Sequence, residues 1–171
     1  MRAHEPPMNR LDRMIARLTA QRACLGRAAA LIAGLPGPVL EIGFGKGRTY
    51  SFLREALPDR EIYAFDIDGA PDTEWGPDAA HFFAGDFRES FGQVLARTGG
   101  PAALAHCDIG SEDAARDAAL VAWMRAALPP LLCSGAIVVA DRDLDIEAAE
   151  RLPAPDEAGG WTYHTFRLLG A

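Results

Sequence analysis

Apolar side chains near the start of the chain recur with the spacing of a helix. They are Leu11, Met14, Ile15 and Leu18, followed by Leu25, Ala28, Ala29 and Ile32. Residues three and four apart lie on one face of an α-helix, so each group forms an apolar stripe. The pattern predicts an amphipathic helical segment over residues 1–34, broken near Gly26.

After residue 34 the pattern changes to short apolar runs separated by helical stretches and turns. Strands are predicted at 38–42, 61–65, 81–84, 102–107, 136–140 and 163–169, with one helix up to 57 and another over 112–128. Strands that alternate with helices are typical of right-handed crossover units. We therefore expect an α/β fold with a mainly parallel sheet, preceded by N-terminal helices.

Length and composition limit the kinds of protein that this chain encodes. With 171 residues, of which 49% are hydrophobic, it is sized for a single domain, with the helical segment 1–34 and a core over 35–171. The net charge of -7 disfavours binding to nucleic acid or anionic lipid. No apolar run approaches the roughly 18 residues of a membrane span. Three widely separated cysteines are typical of reduced thiols in a cytoplasmic protein.

The strongest chemical signal is the run EIGFGKG at residues 41–47. An acidic residue at the end of a strand is followed by glycines at alternate positions, and a helix comes next. Glycines let the backbone turn sharply and approach a ligand closely, and the start of a helix offers free N–H groups. A dinucleotide-binding loop would need a third glycine where Arg48 stands, which counts against NAD or FAD.

This run resembles motif I of the class I S-adenosylmethionine-dependent methyltransferases. The resemblance implies that the cofactor is S-adenosyl-L-methionine and that its cleft is lined by Glu41, Gly43, Phe44, Gly45 and Gly47. It continues in order to about residue 141. It also implies a three-layer Rossmann-like sandwich whose C-terminal strand is antiparallel to the rest of the sheet.

Later strand ends supply the other expected cofactor residues. Asp66 ends the second predicted strand, where a carboxylate can accept hydrogen bonds from two ribose hydroxyls. We prefer it to Asp68, and we expect Ile67 to pack on the adenine face. By the same resemblance Asp86 receives the adenine amino group and Phe87 lies beside the ring, although an aspartate there is also typical of a helix cap.

The fourth strand ends at Asp108, which we include among the residues of the cofactor cleft. Substrate orientation, general base, metal ligand and loop hydrogen bonding all remain open as its role. His106 shares its strand face but is interpreted as a packing residue. Asp141 and Asp143 follow the fifth strand, yet Arg142 stands where the magnesium-dependent relatives have a ligand, so we predict no metal. No catalytic residue is assigned.

The sequence therefore predicts a methyltransferase that acts on a small-molecule acceptor, in the cytoplasm. Neither the acidic charge nor the residues after the fourth strand, which lack an Asn-Pro-Pro-Tyr motif, suit a nucleic-acid substrate. A non-catalytic S-adenosylmethionine-binding protein is the alternative, and a nicotinamide-dependent oxidoreductase is a third interpretation. Only one strand is predicted after residue 141, where the family has two. We expect a homo-oligomer that covers the edge left open.

Overall fold

The computed structural model describes residues 8–69 and 74–170. The helices are α1 (Arg10–Leu31), α2 (Arg48–Ala56), α3 (Phe87–Ser90), α4 (Val94–Thr98) and α5 (Ala114–Ala127). The strands are β1 (Val39–Ile42), β2 (Ile62–Asp66), β3 (Phe82–Ala84), β4 (Ala102–Cys107), β5 (Leu132–Ala140), β6 (Ala149–Leu152) and β7 (His164–Leu168). Short 3-10 turns lie at Ala79–His81, Phe91–Gln93, Pro129–Leu131 and Asp156–Ala158.

The seven strands form one sheet in the order β3-β2-β1-β4-β5-β7-β6. The first five are parallel, and β7 is antiparallel to both β5 and β6. One face of the sheet packs against α1 and α2, and the other face packs against the helices that follow β3 and β4. This confirms the predicted three-layer α/β sandwich.

Helix α1 is continuous, so the predicted break at Gly26 is wrong. A glycine inside a helix costs about 1 kcal/mol relative to alanine. Here the flanking residues Cys24, Leu25 and Ala28 are buried against the sheet, and this packing holds the helix together through the glycine. The helix begins at a cap, where the Asn9 side chain accepts a hydrogen bond from the Asp12 N–H at 2.9 Å.

The prediction of only one strand after residue 141 is also wrong, because β6 is present in addition to β7. Its four residues pair only with β7, and Glu150 and Arg151 are exposed. A short polar strand at a sheet edge carries no apolar alternation by which the sequence would show it. The missing strand therefore no longer argues for a second subunit, and the homo-oligomer remains a prediction.

Two further segments differ from the sequence expectation. Strand β5 begins four residues earlier than predicted, since it continues past Gly135 through an irregularity in its pairing with β4. The two prolines and two glycines of segment 152–160 predict a mobile loop, but the segment packs on α1: Ala158 is buried, and the Arg27 guanidinium donates to the Pro153 carbonyl at 2.6 Å. No helix within the described ranges is long and apolar enough to cross a membrane.

Candidate active site

The predicted site residues converge at the carboxyl ends of β1, β2 and β4. This is the edge at which parallel α/β sheets bind ligands. A cleft of about 330 Å³ opens there. Its lining consists of Arg17, Leu18, Gln21, Gly43, Phe44, Gly45, Lys46, Arg48, Thr49, Asp66, Asp108 and Gly110. A larger cavity of about 860 Å³ lies at the opposite end of the strands, beside the loops before β1 and β2, and none of the predicted site residues lines it.

The three glycines of the loop after β1 have different physical reasons to be glycine. All have positive φ, at +90° for Gly43, +54° for Gly45 and +73° for Gly47. A Cβ on Gly43 would lie 2.1 Å from the carbonyl oxygen of Asp108, and one on Gly47 would lie 2.8 Å from the Phe44 ring. A Cβ on Gly45 would meet no protein atom within 4 Å. Gly45 therefore leaves room in the cleft, whereas the other two let protein segments pack closely.

Asp66 holds the glycine loop against the end of β2. One carboxylate oxygen accepts the Gly45 N–H at 2.7 Å, and the other accepts the Asp68 N–H at 3.1 Å. Its carboxylate lines the cleft and keeps lone pairs for further donors. Phe44 contributes to the lining, but its ring is buried edge-on against Tyr50 and Phe82. The Phe44 side chain therefore contributes mainly to the hydrophobic core.

A second, smaller cavity of about 60 Å³ lies where the adenine was expected. Ile67, Gly85, Asp86 and Phe87 line it, and Ile67 is 54% exposed although its side chain is fully apolar. A Cβ on Gly85 would meet no protein atom within 4 Å. Asp86 also caps α3, because its carboxylate accepts the Arg88 N–H at 2.9 Å. The cap and the predicted adenine contact are therefore compatible at this position.

Glu41 lies behind the glycine loop rather than in the cleft. Its carboxylate is completely buried. One oxygen accepts the Thr49 hydroxyl, and the other lies 2.8 Å from Nδ1 of His106. Since Thr49 lines the cleft and Glu41 does not, the contribution of Glu41 to the site runs through Thr49 and His106.

His106 is buried as predicted, but it is part of a polar network. Its Nε2 lies 2.9 Å from the hydroxyl of Tyr163, the residue before β7. Burial opposes protonation of the ring, but the Glu41 carboxylate, together with the charges of Asp108 and Asp141, outweighs it and raises the pKa of His106 above the usual value. Burial, together with the Asp108 charge, raises the pKa of Tyr163, so the phenol stays protonated.

Helix α1 reaches the cleft through two polar side chains that contact Asp108. One Arg17 nitrogen donates to both Asp108 oxygens at 2.8 Å, and Nε2 of Gln21 donates to Oδ2 at 3.0 Å. Nε2 of Gln21 also donates to the Tyr163 hydroxyl at 3.0 Å. The first helix therefore forms one wall of the site, and the Asp108 carboxylate is held from the side of α1.

Asp141, which follows β5, is part of the supporting structure. Its carboxylate accepts the N–H groups of Ile109 and Gly110 at 3.1 and 2.9 Å and pairs with Arg142 at 3.2 Å. Burial and the nearby Asp108 charge raise its pKa. Within residues 8–69 and 74–170, no three His, Cys, Asp or Glu side chains stand together in an arrangement that would hold a metal ion.

Sequence reasoning missed four residues of this site: Arg17, Gln21, Thr49 and Tyr163. Arg17 and Gln21 belong to the polar face of a helix, and a polar helix face is usually solvated. Thr49 stands in the first turn of α2 beside the glycine loop, and Tyr163 is separated from Gln21 by 142 positions. Only Thr49 had a local signal, namely its place next to the glycine loop.

The described residues fit an adenosine-containing ligand. Open space at Gly45 and Gly85 marks two places where a ligand can approach the backbone. Between them stands Asp66, a carboxylate suited to paired hydroxyl groups. The next residue, Ile67, is apolar and lines the small cavity in which a flat ring would pack. No part of this geometry requires a phosphate-binding loop.

Comparison with known proteins agrees with this geometry. A sequence model of the S-adenosyl-L-methionine methyltransferase family matches residues 8–168. The crystal structure of an S-adenosyl-L-methionine methyl transferase from Silicibacter pomeroyi DSS-3 is 36% identical, with a TM-score of 0.85, over 94% of this chain and 99% of that one. No curated protein sequence matches.

More distant structures share the fold. CalS11, a TDP-rhamnose 3'-O-methyltransferase of calicheamicin biosynthesis, is 20% identical with a TM-score of 0.61, over 95% of this chain and 87% of that one. A putative caffeoyl-CoA O-methyltransferase from Staphylococcus aureus is 14% identical with a TM-score of 0.52, over 96% and 86%. With the family match over nearly its whole length, the chain belongs to the S-adenosyl-L-methionine methyltransferase family and is a methyltransferase that uses S-adenosyl-L-methionine.

Proposed function

We propose that this methyltransferase transfers the methyl group directly to a small-molecule acceptor that carries negative charge. The observation that supports the acceptor class is the charge around the cleft. The lining has three cations, Arg17, Lys46 and Arg48, against the two carboxylates of Asp66 and Asp108, so its net charge is +1, although the chain as a whole has a net charge of -7. A cationic cleft in an acidic protein concentrates anionic ligands and favours their binding.

The cofactor is proposed to lie along the cleft from Asp108 to Phe87. Asp66 would accept hydrogen bonds from the ribose hydroxyls, and Gly45 would present its backbone to the ligand. Gly43 and Gly47 would shape the loop by letting Asp108 and Phe44 pack closely against it. Ile67, Asp86 and Phe87 would enclose the adenine. Glu41 would act from behind, by fixing Thr49.

S-adenosylmethionine supplies a methyl group on a positively charged sulfur, which is already a good leaving group. The remaining task of the protein is to hold the acceptor in line with that methyl group. We assign the acceptor to the end of the cleft where the Asp108 carboxylate lies, with the Arg17 guanidinium beside it. An oxygen or nitrogen acceptor loses a proton during transfer, and Asp108 is the group positioned to accept it.

Arg17 has N–H groups that do not contact Asp108 and can donate to an anionic acceptor. Only one of its terminal nitrogens contacts Asp108, and its side chain is 34% exposed in the cleft. A guanidinium carries five N–H donors in a planar fork that suits carboxylates and phosphates. A bound anion would share Arg17 with Asp108 and leave the carboxylate freer to act on the acceptor.

The test begins with isothermal titration of S-adenosylhomocysteine, and it continues with methyl transfer from radiolabelled S-adenosylmethionine. The acceptor panel pairs small carboxylates and phosphate esters with their neutral amides and alcohols. We expect transfer only to the anionic members. Arg17→Met should lower transfer to them about tenfold or more while leaving S-adenosylhomocysteine binding within a few-fold.

The matched control is Arg22→Met, since Arg22 is an exposed arginine of the same helix that does not line the cleft. Equal transfer to the neutral members, or equal losses in the two arginine variants, would contradict the proposed acceptor class. Failure of the wild type to bind S-adenosylhomocysteine would contradict the proposed site.

We also propose a homo-oligomer that uses the N-terminal half of α1, within a cytoplasmic location. Support comes from the exposed apolar side chains Met8, Leu11, Met14 and Ile15, which cover that half of the helix with apolar surface. Light scattering at micromolar concentration tests the assembly, and replacement of Leu11 and Ile15 by lysine should give monomers. A monomeric mass for the wild type would reject it.

A further inference from the structure

A continuous chain of hydrogen bonds runs beneath the cleft from the glycine loop to the acceptor end. It passes from Thr49 to Glu41, His106, Tyr163, Gln21 and Asp108. The four central members, from Glu41 to Gln21, are buried. They come from β1, β4, the residue before β7, and α1, so the chain joins four separate elements.

The chemistry of the end groups sets the direction of these bonds. The Asp108 carboxylate only accepts hydrogen bonds, so the Gln21 amide nitrogen faces it and donates its second N–H to the Tyr163 oxygen. The Tyr163 hydroxyl then donates its own proton to Nε2 of His106. The ring proton of His106 is thereby placed on Nδ1, which donates to Glu41.

In this arrangement every buried donor has an acceptor, and no group has a choice of orientation. This direction holds for the neutral ring of His106, whose Nε2 is an acceptor. A buried polar group without a partner is costly, and this cost keeps the members of the chain in register. Neither His106 nor Tyr163 lines the cleft, so both act on it through their neighbours.

We propose that Tyr163, backed by His106, is a positioning residue of the active site, which fixes Gln21 and through it the Asp108 carboxylate at the acceptor end of the cleft. The inference rests on the proposed function for the role of the cleft. It adds that one buried chain of hydrogen bonds fixes the positions of both the glycine loop and the acceptor end, and that Tyr163 anchors this chain.

The experiment compares the loss of one hydroxyl from the hydrogen-bond chain with the loss of one hydroxyl elsewhere in the protein. Tyr163→Phe deletes the central hydroxyl. The control Tyr63→Phe deletes the hydroxyl of another buried tyrosine, which donates a partly buried hydrogen bond to the Arg97 carbonyl at 3.2 Å, away from the cleft. Two readouts are used: hydrogen exchange of the Gln21 side-chain amide by NMR, and S-adenosylhomocysteine affinity by isothermal titration. The ¹⁵N signals of His106 report its tautomer.

We expect Tyr163→Phe to speed exchange of the Gln21 amide, to shift the ¹⁵N signal of His106 Nε2, which loses its hydrogen-bond donor, and to weaken S-adenosylhomocysteine binding about three- to tenfold, as for one buried hydrogen bond. Tyr63→Phe should leave all three unchanged. Should Tyr163→Phe fail to fold, Gln21→Met, which removes the next link at similar volume, must weaken binding by a similar factor.

Other outcomes overturn the inference. If the wild type binds S-adenosylhomocysteine and Tyr163→Phe or Gln21→Met binds it equally well, the chain is structural and does not position the site. Equal effects of the two tyrosine variants lead to the same conclusion. Lack of binding by the wild type itself is the separate result that overturns the proposed function.

Discussion

Two glycines of the loop after β1 should respond differently to replacement by alanine: one variant should lose stability and the other should lose ligand affinity. In Gly43→Ala the new methyl group would lie 2.1 Å from the Asp108 carbonyl oxygen, on a backbone with φ of +90°. The ends of β1 and β4 must then move apart by roughly 1 Å, and the positive φ adds strain. We expect the free energy of unfolding to fall by about 3 kcal/mol.

In Gly45→Ala the methyl group would meet no protein atom within 4 Å, and the φ of +54° is the milder left-handed conformation. The expected loss of unfolding free energy is about 1 kcal/mol. The methyl group would, however, occupy space in the cleft. S-adenosylhomocysteine affinity should therefore fall tenfold or more, on the order of 1.4 kcal/mol.

Thermal unfolding and isothermal titration of the two variants distinguish these effects. For a domain of this size, 1 kcal/mol shifts Tm by about 2–4 °C. Gly43→Ala should therefore lose about 6–12 °C, and Gly45→Ala about 2–4 °C. Comparable stability losses in both variants, or full affinity in Gly45→Ala, would refute the assignment of one glycine to packing and the other to the ligand.

Two further predictions concern charged groups of the site. Asp66→Ala should weaken S-adenosylhomocysteine binding at least tenfold, because both ribose hydroxyls would lose their proposed acceptor. The comparison is the titration of Asp68→Ala, which is expected to bind within a few-fold of wild type. Because the folded-state pKa of His106 is raised by Glu41, its contribution to stability is complete below the ordinary histidine pKa and is lost as pH rises through the raised value. Urea unfolding of wild type and His106→Gln should therefore differ more at about pH 6 than at about pH 9, and a constant difference would contradict the raised pKa.

The sheet and the cofactor side of the site were predictable because their signals are local. The position of the glycine turn follows from the apolar run before it, and the position of Asp66 follows from the end of its strand. The structure places Gly45 and Asp66 together in the cleft. Glu41 was located correctly at the end of β1, but the sequence does not show that its carboxylate turns away from the cleft toward His106.

The acceptor side was not predictable, since its contacts join distant parts of the chain. Periodicity shows that α1 has an apolar and a polar face, but it does not show what either face touches. Arg17 and Gln21 meet Asp108 across 91 and 87 positions. Strand β6 was missed for a related reason: its pairing with β7 forms it, and its own residues have no strand pattern.

The contact between Gln21 and Tyr163 bears on the order in which the protein is made. It joins residues 142 positions apart, so α1 leaves the ribosome long before its partner is synthesised. Long-range contacts of this kind form late in folding. A nascent chain that already displays the glycine loop still lacks the residue that orders the acceptor end. On the proposed role of Tyr163, the acceptor end is ordered only after residue 163 has been synthesised, and a truncated chain that lacks Tyr163 would have a cleft without this support.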